Sequence, residues 1–279
     1  MENIDNILQP QILAAEKDYL VVYKPPKMHS APQAKSEGVN ILYWCAGQFP
    51  EIMDLKGRRA GEGGLLHRLD YETQGLMLIA RTRIGMDAFL KQQNEGVLAK
   101  EYCALASRSE ATPPGFPLIR PDPEIIPKII PKIVIEGPQD ESGFRISSAF
   151  RPYGPGRKEV RPVILSLLKS GDKVLKPKGL ALDRGNEYTT DVLRMRDLPK
   201  GIKLFRLRIF TGFRHQLRSH LTWMGMPILN DSLYGGLSCG NGFLALRAFK
   251  LAFIEPGSGR KIVCSIHEWE NLEAFENSS

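Results

Sequence analysis

Apolar and polar residues in the first hundred positions follow the short periods of strands and helices. Residues 12–24 hold two apolar runs around an acidic turn, which predicts two short strands, and Pro25 ends the second because proline cannot donate to a β-ladder. Residues 39–48 predict a short helix. The unbroken apolar run at 76–80 is typical of a buried strand, and residues 100–107 predict a further strand.

A longer helix is predicted between these last two strands. Met86, Phe89 and Leu90 recur at helical spacing. They follow Thr82, whose hydroxyl can cap the first turn, and Gly96 supplies a C-terminal stop.

The second half of the chain predicts a strand pair followed by a helix. Residues 188–195 and 203–210 alternate apolar and polar side chains, which indicates half-buried strands. Residues 214–224 predict a helix that ends at Gly225. Its buried stripe consists of Leu217, Leu221 and Met224. Residues 112–185 give no such pattern: the first part is rich in proline and predicts an irregular, extended excursion, and the rest is basic and interrupted by Gly and Pro.

Composition excludes several classes of protein. The 279 residues are 42% hydrophobic and 25% charged, as in ordinary globular proteins, which argues against disorder. The cysteines lie far apart and none is at CxxC spacing, so the sequence encodes no zinc knuckle or thioredoxin-type pair. Residues 1–10 lack a cationic start followed by an apolar stretch, and no apolar run is long enough to span a membrane. We therefore expect a cytoplasmic protein.

Basic residues are concentrated in the second half of the chain. The formal net charge is +7. Lys and Arg crowd residues 145–218, whereas the tail after Cys264 is acidic. This asymmetry fits a phosphate-binding surface, although a solvated basic face without a partner gives the same pattern.

The densest polar segment surrounds Asp70. This aspartate lies between a Gly- and Arg-rich loop at 57–64 and the buried strand at 76–80, which would place its carboxylate at the edge of the core. An aspartate in such a position is often only a turn residue that bonds its own backbone. Its neighbours His67 and Arg68 favour a chemical role instead.

Several segments resemble the motifs of one enzyme family. Residues 67–76, reading HRLDYETQGL, resemble the first signature of the RluA-type pseudouridine synthases. Residues 214–221, reading RHQLRSHL, and residues 225–235, reading GMPILNDSLYG, resemble the second signature. Residues 21–25 resemble the family's opening strand, and Tyr102 falls where the family keeps a tyrosine. The matches follow the order in which the family has them.

The resemblance implies the α+β pseudouridine synthase fold. We expect one catalytic domain at 12–265, built around a central, mostly antiparallel bent sheet with flanking helices, with an insert at about 112–185. A polar leader at 1–11, too short for the N-terminal RNA-binding domain that many relatives carry, and an acidic tail at 266–279 flank it. RNA selection would then fall to the catalytic domain and its insert. We expect a monomer that acts on structured rRNA or tRNA without cofactor or metal.

The resemblance also implies a reaction and its catalytic residues. Asp70 matches the aspartate that converts a uridine from an N-glycoside to a C-glycoside. Its carboxylate would attack the ribose C1′ carbon, abstract a ribose proton to give a glycal, or attack C6 of the base, and these routes stay open. Arg218 matches the arginine that pairs with the aspartate and would keep it ionised. Tyr102 matches the tyrosine that packs on the target base.

Further matches concern RNA. Arg68 matches the arginine that enters the helix stack where the uridine has been flipped out, and His67 either assists it or bonds the loop backbone. Arg214 is expected to share a helix face with Arg218 and to meet a phosphate near the helix N-terminus. The remaining expected site residues are His215 and Gln216 for RNA binding, and Leu217 and Leu221 for an apolar wall of the site.

Two positions depart from the family's pattern. The second signature usually has its basic residue one position before the place of Arg214, and the first has Ser where this chain has Gln74. Neither change removes a group that the reaction needs, and both bear on substrate choice.

Two other functions fit parts of the sequence. A non-catalytic RNA-binding protein on the same fold would keep the basic residues but need not keep Asp70, Tyr102 and Arg218 together. A metallohydrolase would draw on the histidines. His215 and His220 are five positions apart, which turns them about 140° from each other on a helix and suits shared metal ligation poorly.

Overall fold

The computed structural model describes residues 8–33, 39–57, 59–109, 143–163, 186–269 and 271–276. The strands of these residues are β1 (Gln11–Ala15), β2 (Tyr19–Lys24), β3 (Gln74–Ala80), β4 (Ala99–Ser107), β5 (Phe144–Tyr153), β6 (Glu159–Val163), β7 (Tyr188–Leu198), β8 (Ile202–Ile209), β9 (Leu246–Ile254) and β10 (Lys261–Ser265). The helices are α1 (Ile41–Ala46), α2 (Arg83–Asn94), α3 (Gln216–Trp223) and α4 (Leu272–Glu276). Each strand and helix predicted above is present, and the predicted bounds differ from the observed ones by at most three residues.

The chain divides into two compact units, the first made of Met1–Cys103 and Gly240–Ser279. Its strands run in the order β1-β2-β3-β9, and β10 also pairs with β9. The pairs are antiparallel except β3–β9, which is parallel. Every residue of β2 and β3 is buried, in keeping with the unbroken apolar runs of both strands.

Helix α2 packs on this sheet through its apolar stripe. The Thr82 hydroxyl accepts a hydrogen bond from the backbone N–H of Gly85, which confirms the predicted cap. Phe89 meets the rings of Tyr19 and Phe253 edge to face, with centroids 5.8 and 5.4 Å away. Gly96 follows the helix with φ +69°, as expected for a C-terminal stop.

The second unit consists of Ala104–Cys239. Its strands follow the order β8-β7-β5-β6, and all of these pairs are antiparallel. The predicted pairing of β7 with β8 is confirmed. The β5–β6 hairpin was not predicted, because five prolines and glycines from Pro152 to Pro162 interrupt its alternating pattern.

Helix α3 corrects the expected start of its segment. It begins at Gln216 rather than at Arg214, because His215 takes a left-handed backbone conformation with φ +55°. Arg214 therefore lies in the turn before the helix, and the expectation that it shares a helix face with Arg218 is wrong. Every residue of α3 is buried, including the predicted stripe residues Leu217 and Leu221.

Several expectations lie outside what the structure tests. The proline-rich excursion falls outside the described residues, and of the basic part of the insert only 143–163 is described. The proposed domain bounds stay a prediction. The mixed α+β composition with mostly antiparallel pairing is as expected. In the part of the chain that the structure describes, no helix is long and apolar enough to cross a membrane.

Candidate active site

Asp70 stands in a short loop whose backbone is fixed on both sides. The Leu69 N–H donates to the Ser30 hydroxyl over 3.0 Å, and that hydroxyl donates to the Leu69 carbonyl over 2.7 Å. On the other side, the Thr73 N–H donates to the Asp70 carbonyl over 3.1 Å and closes a turn. Asp70 itself is half-buried at the edge of the core. The loop therefore holds a carboxylate in one place while leaving it accessible.

His67 fixes the same loop to the sheet. Its Nε2 atom accepts a hydrogen bond from the Leu78 N–H of β3 over 3.0 Å. Of the two roles open to this histidine, the structure shows the bond to the backbone. An additional contact with RNA stays a prediction.

A buried lysine lies behind the Asp70 loop. The Lys24 side chain is 0% exposed. Its Nζ atom donates to the carbonyls of Pro25, Met28 and Tyr71 over 2.8, 2.8 and 3.4 Å. Burial lowers the pKa of Lys24 to about 7, against the opposing charges of Asp70 and Glu72. The sequence offered a signal for this group, a lysine at the end of the opening strand, but its role was missed.

Tyr102 belongs to the same unit as Asp70. It lies on β4 and is 4% exposed. Burial raises the pKa of the Tyr102 phenol, and the negative charge of Asp70 raises it further. The structure therefore brings these two predicted residues within electrostatic reach of each other, and the Tyr102 hydroxyl stays protonated at neutral pH.

The Arg68 side chain is 37% exposed and is tied to its own unit. It forms an ion pair with Glu62, whose side chain is 9% exposed and belongs to the Gly-rich loop. Burial lowers the pKa of Arg68, and the nearby positive charge of Arg59 adds to this effect. Sequence reasoning gave Glu62 no role. The expected entry of Arg68 into an RNA helix stack would require this ion pair to break.

Arg218 lies in the second unit, on α3. Its Nε and Nη2 atoms donate to the two carboxylate oxygens of Asp231 over 2.7 and 2.8 Å, and both side chains are buried. This bidentate pair fixes the guanidinium plane. Asp231 was missed as a partner although it stands within the second signature. The pairing of Arg218 with Asp70 stays a prediction.

The turn before α3 positions the other residues of the second signature. Arg214 is exposed, and its Nη2 atom donates to the Arg157 carbonyl over 2.6 Å. The His215 Nδ1 atom lies 3.3 Å from the Tyr234 hydroxyl. Gln216 is buried, and its amide donates to the Thr189 carbonyl over 2.9 Å. The expected RNA contacts of Arg214, His215 and Gln216, and the apolar wall of Leu217 and Leu221, stay predictions.

Gln74, one of the two departures from the family's pattern, lies in the core of the first unit. Its Oε1 atom accepts from the Tyr23 hydroxyl over 2.7 Å and from Nη2 of Arg247 over 3.4 Å. Its side chain therefore links β2, β3 and β9.

The metallohydrolase alternative finds no support in the described residues. The two ring nitrogens of His220 lie 2.9 Å from the hydroxyls of Ser148 and Thr190, so both are in use. Burial lowers the pKa of His220 to about 3, which keeps the ring neutral. Among the residues that the structure describes, no group of three or more His, Cys, Asp or Glu side chains could hold a metal ion.

Comparisons with known proteins agree with the motifs. The model of a family described as RNA pseudouridylate synthase matches residues 18–223. A ribosomal large subunit pseudouridine synthase D of Yersinia pestis is 24% identical over 225 residues, which are 81% of this chain and 52% of that protein. An uncharacterized RNA pseudouridine synthase of Helicobacter pylori is 22% identical over 91% of this chain and 65% of its own length. The chain thus spans about half to two thirds of the length of these relatives.

Solved structures share the fold. Human RNA pseudouridylate synthase domain containing 1 superposes with a TM-score of 0.55 at 20% identity, covering 94% of this chain and 84% of its own. Human RNA pseudouridylate synthase domain containing 4 gives a TM-score of 0.54 at 18% identity, over 96% and 90% of the two chains.

Proposed function

The chain belongs to the RNA pseudouridylate synthase family, of RluA type, and from this premise we propose that it isomerises a uridine in structured RNA to pseudouridine. One observation carries the proposal: the half-buried Asp70 is held by its loop within electrostatic reach of the buried Tyr102. An accessible carboxylate close to a tyrosine ring suits a reaction on a nucleoside that has left the helix stack.

We propose that Asp70 acts in its ionised form on the flipped nucleotide. It attacks the ribose C1′ carbon or abstracts a ribose proton, and either route needs a carboxylate shielded from water once the RNA is bound. Tyr102 packs against the base with its phenol protonated, since burial raises the pKa of that group. Its neutral hydroxyl can donate one hydrogen bond to the bound base and, as the resemblance implies, take part in the proton transfer at C5.

We propose that Arg218 keeps Asp70 ionised, because Arg218 occupies the place of the pairing arginine in the second signature. A guanidinium carries five N–H donors, so one arginine can serve two carboxylates. Asp231 takes two of these donors and orients the plane. The role of Asp231 is therefore to position Arg218.

Arg68 is proposed to enter the RNA stack and to replace the flipped uridine. Flipping costs on the order of a few kcal/mol, part of which a stacked guanidinium recovers. The ion pair with Glu62 would hold the Arg68 side chain against the Gly-rich loop until RNA arrives.

The RNA substrate is proposed to be rRNA or tRNA, with large-subunit rRNA as the first candidate. This choice is supported by the Yersinia pestis relative, which is a ribosomal large subunit pseudouridine synthase. The experiment uses total RNA from a strain that lacks the gene, incubated with the purified protein and mapped for pseudouridine. We expect one or a few sites to reappear.

Substitution of Asp70 tests the catalytic assignment. We expect Asp70→Asn to lower the rate of pseudouridine formation by about a thousandfold or more, because the neutral amide is neither nucleophile nor base. The control is Asp87→Asn, which removes a carboxylate that is 56% exposed on α2 and should leave the rate unchanged. Equal rates for Asp70→Asn and the parent would refute the assignment. RNA binding by a parent protein that forms no pseudouridine would favour a non-catalytic RNA-binding protein.

A further inference from the structure

One sheet face of the second unit carries a dense set of arginines. Arg145 on β5 and Arg208 on β8 both contact Asp191, which lies between them on β7, so these three side chains share a face. Strand alternation adds further arginines to this face, and a bulge between Val192 and Arg194 keeps the later residues of β7 on it. We call it the arginine face: Arg145, Arg151, Arg161, Arg194, Arg196, Arg206 and Arg208, with Glu159 and Asp191 as its acidic members.

The opposite face of the same strands contacts helix α3. His220 of α3 reaches Ser148 on β5 and Thr190 on β7, which are of opposite parity to Arg145 and Asp191. Helix α3 therefore packs against the other side of the sheet. The arginines do not belong to the surface that seats the second signature.

Like charges meet across the strands of the arginine face. Arg151 lies directly opposite Arg161 on the β5–β6 pair, and Arg194 lies directly opposite Arg206 on the β7–β8 pair. Like charges in such cross-strand positions destabilise a sheet. A polyanionic partner placed over this face would offset the repulsion within each pair.

Two guanidinium groups of the arginine face are held in place by one carboxylate. Asp191 is 2% exposed; its Oδ1 atom accepts from Nε of Arg145 over 2.6 Å and its Oδ2 atom accepts from Nη2 of Arg208 over 3.1 Å. The two arginine side chains stay 30% and 28% exposed above it. A buried carboxylate thus orients two donors toward the surface, which lowers the entropy lost when they bind a ligand.

Aromatic rings are interleaved with the charges. The Cζ atom of Arg161 lies 3.2 Å from the ring centroid of Tyr153, which is 39% exposed. The Cζ atom of Arg208 lies 5.3 Å from the ring of Phe210. Stacked guanidinium and aromatic planes next to forked N–H donors are suited to RNA, which presents both phosphates and base faces.

We infer that the arginine face is a binding surface for the phosphate backbone of structured RNA, distinct from the residues proposed to perform the chemistry. The inference rests on the proposed function, because it names a surface that holds the RNA of that reaction. Each guanidinium that meets a phosphate releases condensed counterions, so binding should weaken steeply with salt.

The test measures binding of a fluorescein-labelled RNA hairpin to the full chain by anisotropy, between about 50 and 200 mM KCl. The double variant Arg194→Gln/Arg206→Gln should bind about tenfold more weakly and lower the slope of log K against log salt by about 2, since each lost phosphate contact lowers it by about 1. Arg194→Lys/Arg206→Lys keeps the charges and should retain most of the slope.

The matched control removes two charges from the first unit. Arg83→Gln/Lys91→Gln changes exposed side chains of α2, which are 65% and 75% exposed, and should leave affinity and slope at the parental values. Circular dichroism at the assay temperature shows that each variant is folded. If the two double glutamine variants bound the RNA with equal affinity and equal salt dependence, the inference would be overturned.

Failure of this inference can be told from failure of the proposed function. A parent that forms pseudouridine while both glutamine pairs bind alike refutes the arginine face alone. A parent that forms no pseudouridine while Arg194→Gln/Arg206→Gln loses its salt-dependent binding refutes the proposed reaction and supports the face.

Discussion

Lys24 places a titratable charge in the core beside the loop that carries Asp70. A buried ammonium is costly unless it is paired or hydrogen-bonded, and three backbone carbonyls surround this one. These bonds tie the turn after β2 to the segment just beyond Asp70. Lys24 therefore acts on the candidate site through the backbone, as a positioning residue.

The titration of Lys24 predicts how stability depends on pH. Burial lowers the pKa of Lys24 in the folded protein to about 7 from the usual lysine value of 10.5, so the unfolded chain binds more protons between these values. Stability from this group should therefore rise with pH across that window, by ~2 kcal/mol between about pH 7 and 9. Urea unfolding at both pH values measures the change.

The variants separate Lys24 from other titrating groups. Lys24→Met should lose the rise, because no charge is left to neutralise. Lys91→Met, at a lysine whose side chain is 75% exposed, should keep the rise of the parent. A parental rise in Lys24→Met would contradict the prediction.

For single residues, the sequence motifs predicted which side chains belong to the candidate site. Their contact partners were found only in the folded structure. The family's motifs predicted Asp70, Tyr102 and Arg218, whose catalytic roles stay proposals. Lys24 meets the Tyr71 carbonyl across 47 positions, and Arg218 meets Asp231 across 13, distances at which no local pattern identifies a partner.

Strand β3 connects the Asp70 loop to β9 through a close approach of two backbones. Gly75 has φ +125°, and a Cβ atom there would overlap the backbone of Ala248, its partner on β9. Only glycine can adopt this positive φ and also leave room for the backbone of Ala248. The signature glycine is thus required for the parallel pairing that fixes the end of the loop.

A substitution at Gly75 should therefore lower the free energy of unfolding by more than the strain of a positive φ alone would. We expect Gly75→Ala to lower the free energy of unfolding by about 3 kcal/mol or more, because the clash with Ala248 cannot relax without separating the strands. Gly61→Ala is the control: its φ is +78° but no atom lies within 4 Å of the added Cβ, so it should cost about 1 kcal/mol. Denaturant unfolding gives both values, and equal costs would rule out the close approach as the cause.

Element bounds were predictable where periodicity is clean and not where single residues override it. The start of α3 moved because His215 adopts a left-handed conformation that its position after Arg214 does not signal. The β5–β6 hairpin tolerates Pro162, whose missing N–H suits β6 at the end of the strand order.

Charge is distributed unevenly over the whole molecule. The chain carries a formal net charge of +7, and the arginine face gathers seven arginines against two acidic residues. The fold class was predictable because the signatures lie in the proper order along the chain. The division into two units was not, because β4 runs from Ala99 in the first unit to Ser107 in the second as one continuous strand, all nine residues of which are buried.

Self-repulsion of the arginine face should make stability depend on salt. Raising KCl from about 0.01 to 0.1 M shortens the screening length from about 30 to 10 Å, which weakens repulsion among exposed charges. The apparent Tm of the parent should rise by a few degrees, on the order of 1 kcal/mol. Arg194→Gln/Arg206→Gln should rise less, because one cross-strand pair of like charges is gone.

The control distinguishes repulsion on this face from the net charge of the molecule. Arg83→Gln/Lys91→Gln lowers the net charge equally, but these cations pair with Asp87 and Glu95 along α2. Its Tm should rise with salt at least as much as that of the parent, since screening no longer weakens two favourable pairs. If the rise of Tm with salt were equally reduced in both double glutamine variants, net charge alone would govern the salt dependence. If the rise of Tm with salt were reduced more in Arg194→Gln/Arg206→Gln, the repulsion would lie on the surface proposed to bind RNA. A bound polyanion relieves such repulsion more fully than salt does.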